Sequence, residues 1–216
     1  MTDADPEALA DVGYGIFEHL LNKGLREQGK YLFAIVEQGV DFRKEFDGIF
    51  SRFAGEYPQL AEALALRFPE TGIIYGMIRD GEGVIPSKTT QMYWIVQDAP
   101  DSPPEAIEDE NAGKWLIFQE PDQVDAAWNK VRDGTVAGEL GISTKVSTAK
   151  PNPESRDSRK VIYIYTKDWA DEADVMRVRQ KLRDLGFTDR IGYKRNIETF
   201  AGEYAKKGKR VTYYSA

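Results

Sequence analysis

The sequence contains no cysteine and a single histidine, His19, among its 216 residues. The missing cysteine excludes disulfides, iron–sulfur clusters, cysteine nucleophiles and thiolate zinc sites. A Ser-His-Asp triad or a polyhistidine metal site would have to be built around His19 alone. The chain also contains no GxxxxGKS or GxxxxGKT phosphate loop and no HExxH motif. These absences predict a protein that uses no metal and no cofactor.

Long hydrophobic runs are also missing. No apolar stretch approaches the roughly 20 residues that a membrane-spanning helix requires. The first ten residues, MTDADPEALA, are acidic and do not resemble a secretory signal. We therefore expect a cytoplasmic protein with no membrane partner. Hydrophobic residues make up 41% of the chain and charged residues 30%, which is enough apolar material for a packed core and excludes wholesale disorder.

Positive charge is scarce in the first half of the chain. Residues 1–112 carry 9 Lys and Arg against 21 Asp and Glu, whereas residues 113–216 carry 20 against 15. Such an asymmetry is typical of two functional units of which the basic one faces an anionic partner. The alternative is that acidic surface helices only keep the protein in solution, and both interpretations stay open.

The first part of the chain is predicted to be helical. Asp5 is a helix-capping residue, and Pro6 suits the first helical position. The apolar residues that recur at helical spacing after it are Leu9, Val12, Ile16, Leu20 and Leu21. A second stripe comprises Phe42, Phe46, Ile49, Phe50 and Phe53. Such stripes are typical of core packing, and we assign residues 1–88 to an acidic helical region.

The second part of the chain alternates predicted strands with predicted helices. The strands are expected over residues 92–96, 114–118, 142–148, 161–165, 190–193 and 210–214. Helices are expected to begin at Pro121 and near Asp171, and Gly186 suits the end of the second. The economical arrangement is a mostly antiparallel sheet with helices on one face, so that the fold class is α+β. We assign residues 89–216 to this basic domain.

Cationic side chains concentrate around these strands. Because side chains alternate along a strand, Lys145 faces outward or into a cleft if Val146 points to the core. Further cations in the adjoining loop and near a later strand end are Arg156, Arg159, Lys194 and Arg195. Ammonium and guanidinium groups that converge from separate strands favour a phosphate ligand. The alternative is a solvated basic face.

Five blocks of the second part carry a family resemblance: GKWLIF, ELGISTKVSTAKPNP, VIYIYTKDW, DVMRVRQKLRDLGF and IGYKRN. From about Trp94 to the C-terminus, the chain resembles the basophilic leukaemia expressed protein family. That family is similar in fold to the cap-binding translation initiation factor, so the resemblance implies a curved, mostly antiparallel sheet backed by helices. The family also carries the description of a phosphothreonine lyase domain. The first 88 residues lie outside the resemblance.

The resemblance to phosphothreonine lyases implies roles for particular residues. TKVST resembles the strand that bears the lyase lysine, which makes Lys145 the general base that takes the Cα proton. GKWLIF resembles the strand that bears a phosphate-binding lysine, which corresponds to Lys114. Tyr163, and Lys194 or Arg195 in the segment YKRN, correspond to further phosphate contacts.

The sequence departs from both families at defined positions. Leu116 occupies the position where the lyases have a histidine, and leucine cannot protonate the leaving phosphate. The cap-binding factors clamp a methylated guanine between two tryptophans. Trp115 lies inside a predicted strand and Trp128 on the apolar face of a predicted helix, so we expect both to pack in the core.

The sequence therefore predicts a module that binds a phosphorylated small molecule, such as a nucleotide, or an RNA end, with weak catalysis or none. The side chains expected to bind this ligand are Lys114, Lys145, Arg156, Arg159, Lys194 and Arg195. One alternative is a phosphothreonine lyase that acts on a phosphopeptide, with Lys145 and Tyr163 as its catalytic residues. Another alternative is a protein–protein adaptor whose acidic N-terminal half binds a protein partner.

Overall fold

The computed structural model describes residues 5–100, 102, 110–153, 158–200 and 212–216. Contacts between Cα atoms divide the chain into two compact units. The helical unit comprises residues 1–93 and 148–152, and the sheet unit comprises residues 94–147 and 153–216. The domain division predicted between residues 88 and 89 stays a prediction, because contacts group residues without testing whether each group folds alone.

The described residues of the helical unit form five α-helices and a short 3-10 helix at Pro86–Lys88. The helices are α1 (Pro6–Arg26), α2 (Leu32–Glu37), α3 (Arg43–Glu56), α4 (Pro58–Arg67) and α5 (Thr71–Arg79). The cap predicted at Asp5 is confirmed, since its carboxylate accepts a 3.1 Å hydrogen bond from the Glu7 amide. Among the described residues, no helix combines the length and the apolarity that a membrane crossing requires.

Helix α1 buries the predicted Leu21 fully and packs Leu9, Ile16 and Leu20 against the core, but not Val12. Val12 is 52% exposed, whereas Phe17 is fully buried. The Phe17 ring makes an edge-on contact with the Phe46 ring, and the two ring centroids lie 5.2 Å apart. This contact directs the Phe17 side of α1 toward α3. Gly13 faces α4, since a Cβ at this position would lie 3.0 Å from the Leu60 carbonyl oxygen. Aromatic rings and one close approach therefore add to the aliphatic residues Leu21 and Leu25 on the buried face of α1.

The described residues of the sheet unit form six strands and three helices in the order β1, β2, α6, β3, β4, α7, β5, α8, β6. The strands are β1 (Trp94–Asp98), β2 (Gly113–Gln119), β3 (Ser143–Ser147), β4 (Lys160–Thr166), β5 (Gly192–Arg195) and β6 (Tyr214–Ser215). The helices are α6 (Val124–Val136), α7 (Glu172–Asp184) and α8 (Asn196–Phe200). The strand order is β1-β3-β4-β2-β5-β6 and every pairing is antiparallel, so the predicted α+β fold class is confirmed.

One face of this sheet packs against α6 and α7. Sheet residues in the core are Ile95, Trp115, Ile117, Val146, Ile162, Ile164 and Tyr193. Helix residues in the same core are Val124, Ala127, Trp128, Val131, Val175, Val178 and Leu182. Trp115 and Trp128 are 0% and 1% exposed, which confirms that both tryptophans are core residues. Because strand side chains alternate, the residues between these core positions lie on the opposite face of the sheet.

Candidate functional site

The sheet face opposite α6 and α7 brings together lysines from three strands. Lys114 of β2 lies directly opposite Lys194 of β5 and, on its other side, opposite Tyr165 of β4. Lys145 of β3 lies opposite Tyr163 of β4. Residues that face each other across antiparallel strands share a sheet face. We call this face, with Trp94, Lys114, Lys145, Tyr163, Tyr165 and Lys194, the lysine face.

Lys114 lies in the buried part of the lysine face. It is 6% exposed, and Lys194 beside it is 8% exposed. Its Nζ atom donates a 3.0 Å hydrogen bond to Oδ1 of Asn196, a buried side chain at the start of α8. The same Nζ lies 5.1 Å from the ring centroid of Tyr165 and 5.5 Å from that of Tyr163. These distances allow cation–π contacts with both rings.

Lys145 is more exposed and contacts the same two rings. Its Nζ atom lies 5.5 Å from the ring centroid of Tyr163 and 5.7 Å from that of Tyr165. It also lies 4.5 Å from the ring centroid of Trp94. The Trp94 and Tyr163 rings stack on each other at 5.3 Å with an interplanar angle of 27°. Two ammonium groups and three aromatic rings therefore occupy one patch of the sheet.

Burial and neighbouring charges shift the pKa values of the lysine face. Burial, together with the charges of Lys145 and Lys194, lowers the pKa of Lys114 to about 8. Burial also lowers the pKa of Lys145. Burial raises the pKa of Tyr165, so its hydroxyl stays protonated in the neutral range. The lysine face therefore combines cationic groups with neutral hydroxyl groups.

The two predicted arginines that the structure describes lie away from this patch. Arg195 follows Lys194 on β5, so alternation directs its side chain to the opposite face. There its guanidinium pairs with Glu198 at 2.9 Å and lies 4.3 Å from the Tyr213 ring centroid. Arg159 lies 5.2 Å from the Phe118 ring centroid, and Phe118 is four residues, roughly 13 Å, along β2 from Lys114. Arg156 lies outside the described residues.

Sequence reasoning missed two residues of the site. Trp94 was assigned only to a strand, although its position two residues before Val96 places both on one face of β1. Asn196 belongs to the segment YKRN, in which the sequence predicts a role in binding only for Lys194 and Arg195. Its role depends on a hydrogen bond between residues 82 positions apart, a distance in sequence that no local pattern reveals.

The arrangement suits an anion better than a metal. Among the residues that the structure describes, no three His, Asp or Glu side chains are grouped as metal ligands. Ammonium groups are donors without lone pairs, and tyrosine hydroxyls can donate as well, so the lysine face can surround an oxyanion. The rings of Trp94 and Tyr163 add an apolar, planar surface beside those donors.

Residues 108–200 match the family described as Basophilic leukemia-expressed protein Bles03. This segment includes β2 to β5 and therefore Lys114, Lys145, Tyr163, Tyr165 and Lys194. The match confirms, over this part of the chain, the family resemblance predicted from the sequence.

Several solved structures of the translation factor eIF4E are similar to the chain over about half its length. Schistosome eIF4E complexed with m7GpppA and 4E-BP is 16% identical, with a TM-score of 0.41 over 54% of this chain and 66% of that chain. Caenorhabditis elegans eIF4E-3 with Mextli and a cap analog is 18% identical, with a TM-score of 0.38 over 47% and 61%. Ascaris suum eIF4E-3 with an m2,2,7G cap is 19% identical, with a TM-score of 0.36 over 54% and 64%. The similarity spans less than two thirds of each of those chains.

Proposed function

We propose that the lysine face binds a phosphorylated ligand, a nucleotide or an RNA end, without catalysis or with weak catalysis. The observation that carries this proposal is the meeting of Lys114, Lys145 and Lys194 on one sheet face, with the first and the last buried. Bringing like charges together and removing them from water is costly unless a counter-charge compensates. A phosphate group supplies that counter-charge and accepts several hydrogen bonds at once.

The direction of the pKa shift of Lys114 supports the same conclusion. Nearby carboxylates would raise the pKa of a lysine, whereas burial and two neighbouring lysines lower that of Lys114 to about 8. The side chain that accepts its 3.0 Å hydrogen bond is the neutral amide of Asn196. Neighbouring cations therefore act on this amine, and a dianionic ligand would offset their repulsion.

The aromatic rings favour a ligand with a planar base over phosphate alone. Trp94 and Tyr163 are only partly buried, and they stand beside the lysine that is most exposed. A base that stacks on such a ring gains about 1–3 kcal/mol. A nucleotide can place its phosphate among the lysines and its base on these rings, and we expect AMP to bind more tightly than inorganic phosphate.

The test is calorimetric titration of AMP at rising salt concentration. Contacts between lysines and phosphate weaken as salt rises, so the affinity should fall steadily between 50 and 500 mM NaCl. Lys145→Gln should weaken binding about tenfold or more, since a hydrogen bond to a charged group contributes roughly 1.5–3 kcal/mol. Lys167→Gln, at an exposed position just after β4, is the matched control and should change little. An affinity for AMP that does not depend on salt concentration would contradict the proposal, as would an equal loss of affinity in Lys145→Gln and Lys167→Gln.

A phosphothreonine lyase is the second candidate, favoured by the lowered pKa of Lys145. A lysine with a lowered pKa can act as a general base near neutral pH. Leu116 offers no proton donor at the position that carries a histidine in the lyases, and Tyr163 lies directly opposite it on β4. Release of inorganic phosphate from a phosphothreonine peptide, abolished in Lys145→Ala, would favour the lyase. Binding without such release would favour the first candidate.

A further inference from the structure

Lys114 is enclosed by aromatic side chains of the lysine face and by the polar side chain of Asn196. Its Nζ atom lies within 5.5 Å of the Tyr163 and Tyr165 ring centroids and donates to Oδ1 of Asn196. The same two rings face Nζ of Lys145 at 5.5 and 5.7 Å. One buried amine and one more exposed amine therefore share a single pair of aromatic rings.

The chemical consequence concerns the uncharged form of Lys114. Burial and the neighbouring cations Lys145 and Lys194 lower its pKa to about 8, which leaves about one tenth of the amine neutral at pH 7. An ordinary lysine is neutral in fewer than about one molecule in a thousand at that pH. A neutral amine carries a free lone pair, and desolvation beside another cation is a known way to activate a lysine nucleophile.

We propose that Lys114 forms a reversible imine with an aldehyde or ketone that carries a phosphate group. The inference rests on the proposed function, because Lys145 and Lys194 hold the phosphate while Lys114 meets the carbonyl carbon. Asn196 keeps the amine oriented through its 3.0 Å hydrogen bond. The lysine face then distinguishes phosphorylated carbonyl compounds from other phosphates by a covalent bond.

The reaction needs no oxidant, reductant or metal. The lone pair of Lys114 Nζ attacks the carbonyl carbon and forms a C–N bond, while the π electrons of the carbonyl move to its oxygen. A proton passes from the nitrogen to this oxygen and gives a carbinolamine. The hydroxyl group then leaves with a second proton as water, and the C=N bond forms. Addition of water reverses each step and restores the free amine.

The test uses the whole 216-residue chain and pyridoxal 5′-phosphate, which carries an aldehyde and a phosphate on one ring. The protein is incubated with a small excess of this probe at pH 7, reduced with sodium borohydride and mapped by peptide mass spectrometry. We expect Lys114 to be the first lysine labelled and inorganic phosphate to compete with the label. Pyridoxal, which has the same aldehyde and no phosphate, should label Lys114 at least tenfold less.

Two variants separate a reactive amine from a merely accessible one. Lys114→Arg keeps the charge and should lose the label, while Lys167→Gln should leave the labelling of Lys114 unchanged. Lys145→Gln removes a neighbouring cation, so the pH at which labelling is half-maximal should rise above the value near 8 expected for the native protein. Circular dichroism of each variant shows whether the fold is retained. The labelling pattern of the native protein tests the proposal even if a variant does not fold.

The outcomes distinguish this inference from the proposed function. If exposed lysines are labelled and Lys114 is not, the imine proposal is wrong. If AMP still binds in a salt-dependent way in that case, the proposed phosphate site is still supported. Labelling of Lys114 that does not respond to phosphate, or a half-maximal pH that Lys145→Gln does not move, also overturns the imine proposal. Loss of both AMP binding and labelling in the native protein would overturn the two proposals together.

Discussion

Raising the pH from 7 to 9 should weaken the binding of AMP about tenfold. The pKa of Lys114 in the free protein is about 8, so its charged fraction falls from about nine tenths to about one tenth over this range. Only the charged amine attracts the phosphate, and the affinity is lost as pH rises through the pKa of the lysine. A tenfold change corresponds to about 1.4 kcal/mol. The phosphate of AMP, whose second pKa is about 6, stays a dianion throughout and cannot cause the change.

The assay is calorimetric titration of AMP at pH 7, 8 and 9 at constant ionic strength. Lys114→Arg is the control, because arginine stays charged across this range and should flatten the pH dependence. The lowered pKa of Lys145 acts in the same direction. A native affinity that is equal at pH 7 and 9, or an undiminished slope in Lys114→Arg, would refute the electrostatic account of the site.

Three further predictions address other parts of the molecule. Burial and a nearby carboxylate raise the folded-state pKa of Glu18 to about 7, so stability is lost as pH rises through 7. Glu18→Gln should therefore raise the free energy of unfolding at pH 8 by about 1–2 kcal/mol, measured by urea denaturation, whereas exposed Glu62→Gln should not. Trp94→Leu should weaken the binding of AMP more than that of inorganic phosphate, measured by titrating both ligands. Arg195→Gln should leave the affinity for AMP within twofold in the same titration, since its guanidinium is paired with Glu198.

Two strands could be predicted closely because each is a short β-branched and aromatic run. The strand expected over residues 161–165 spans Lys160–Thr166, and the one expected over 114–118 spans Gly113–Gln119. The strand expected over 190–193 begins at Gly192, because its pairing with β2 extends only from Gly113 to Leu116. Boundaries set by a partner strand cannot be found from local sequence.

The candidate site was only partly predictable. Alternation predicted that Lys145 and Val146 point to opposite faces, and Val146 is indeed buried in the core. The same rule separates Lys194 from Arg195 in the structure, whereas a strand that ends at residue 193, as predicted, leaves both cations outside the alternation. The position of Lys114 opposite Lys194 depends on the strand order, which arises from long-range pairing and has no local signature.

The strand order also has a consequence for folding. Lys145, Lys114 and Lys194 come from three strands that are distant along the chain, and the Lys114–Asn196 hydrogen bond alone joins residues 82 positions apart. Contacts between residues distant along the chain slow folding, and the three lysines come together only when β3, β2 and β5 occupy their places in the sheet. If the proposed site binds an anion, that anion links β3, β2 and β5. The bound anion would then slow the joint opening of these three strands. Backbone amide hydrogens on neighbouring strands that do not contact the anion would also exchange more slowly with solvent.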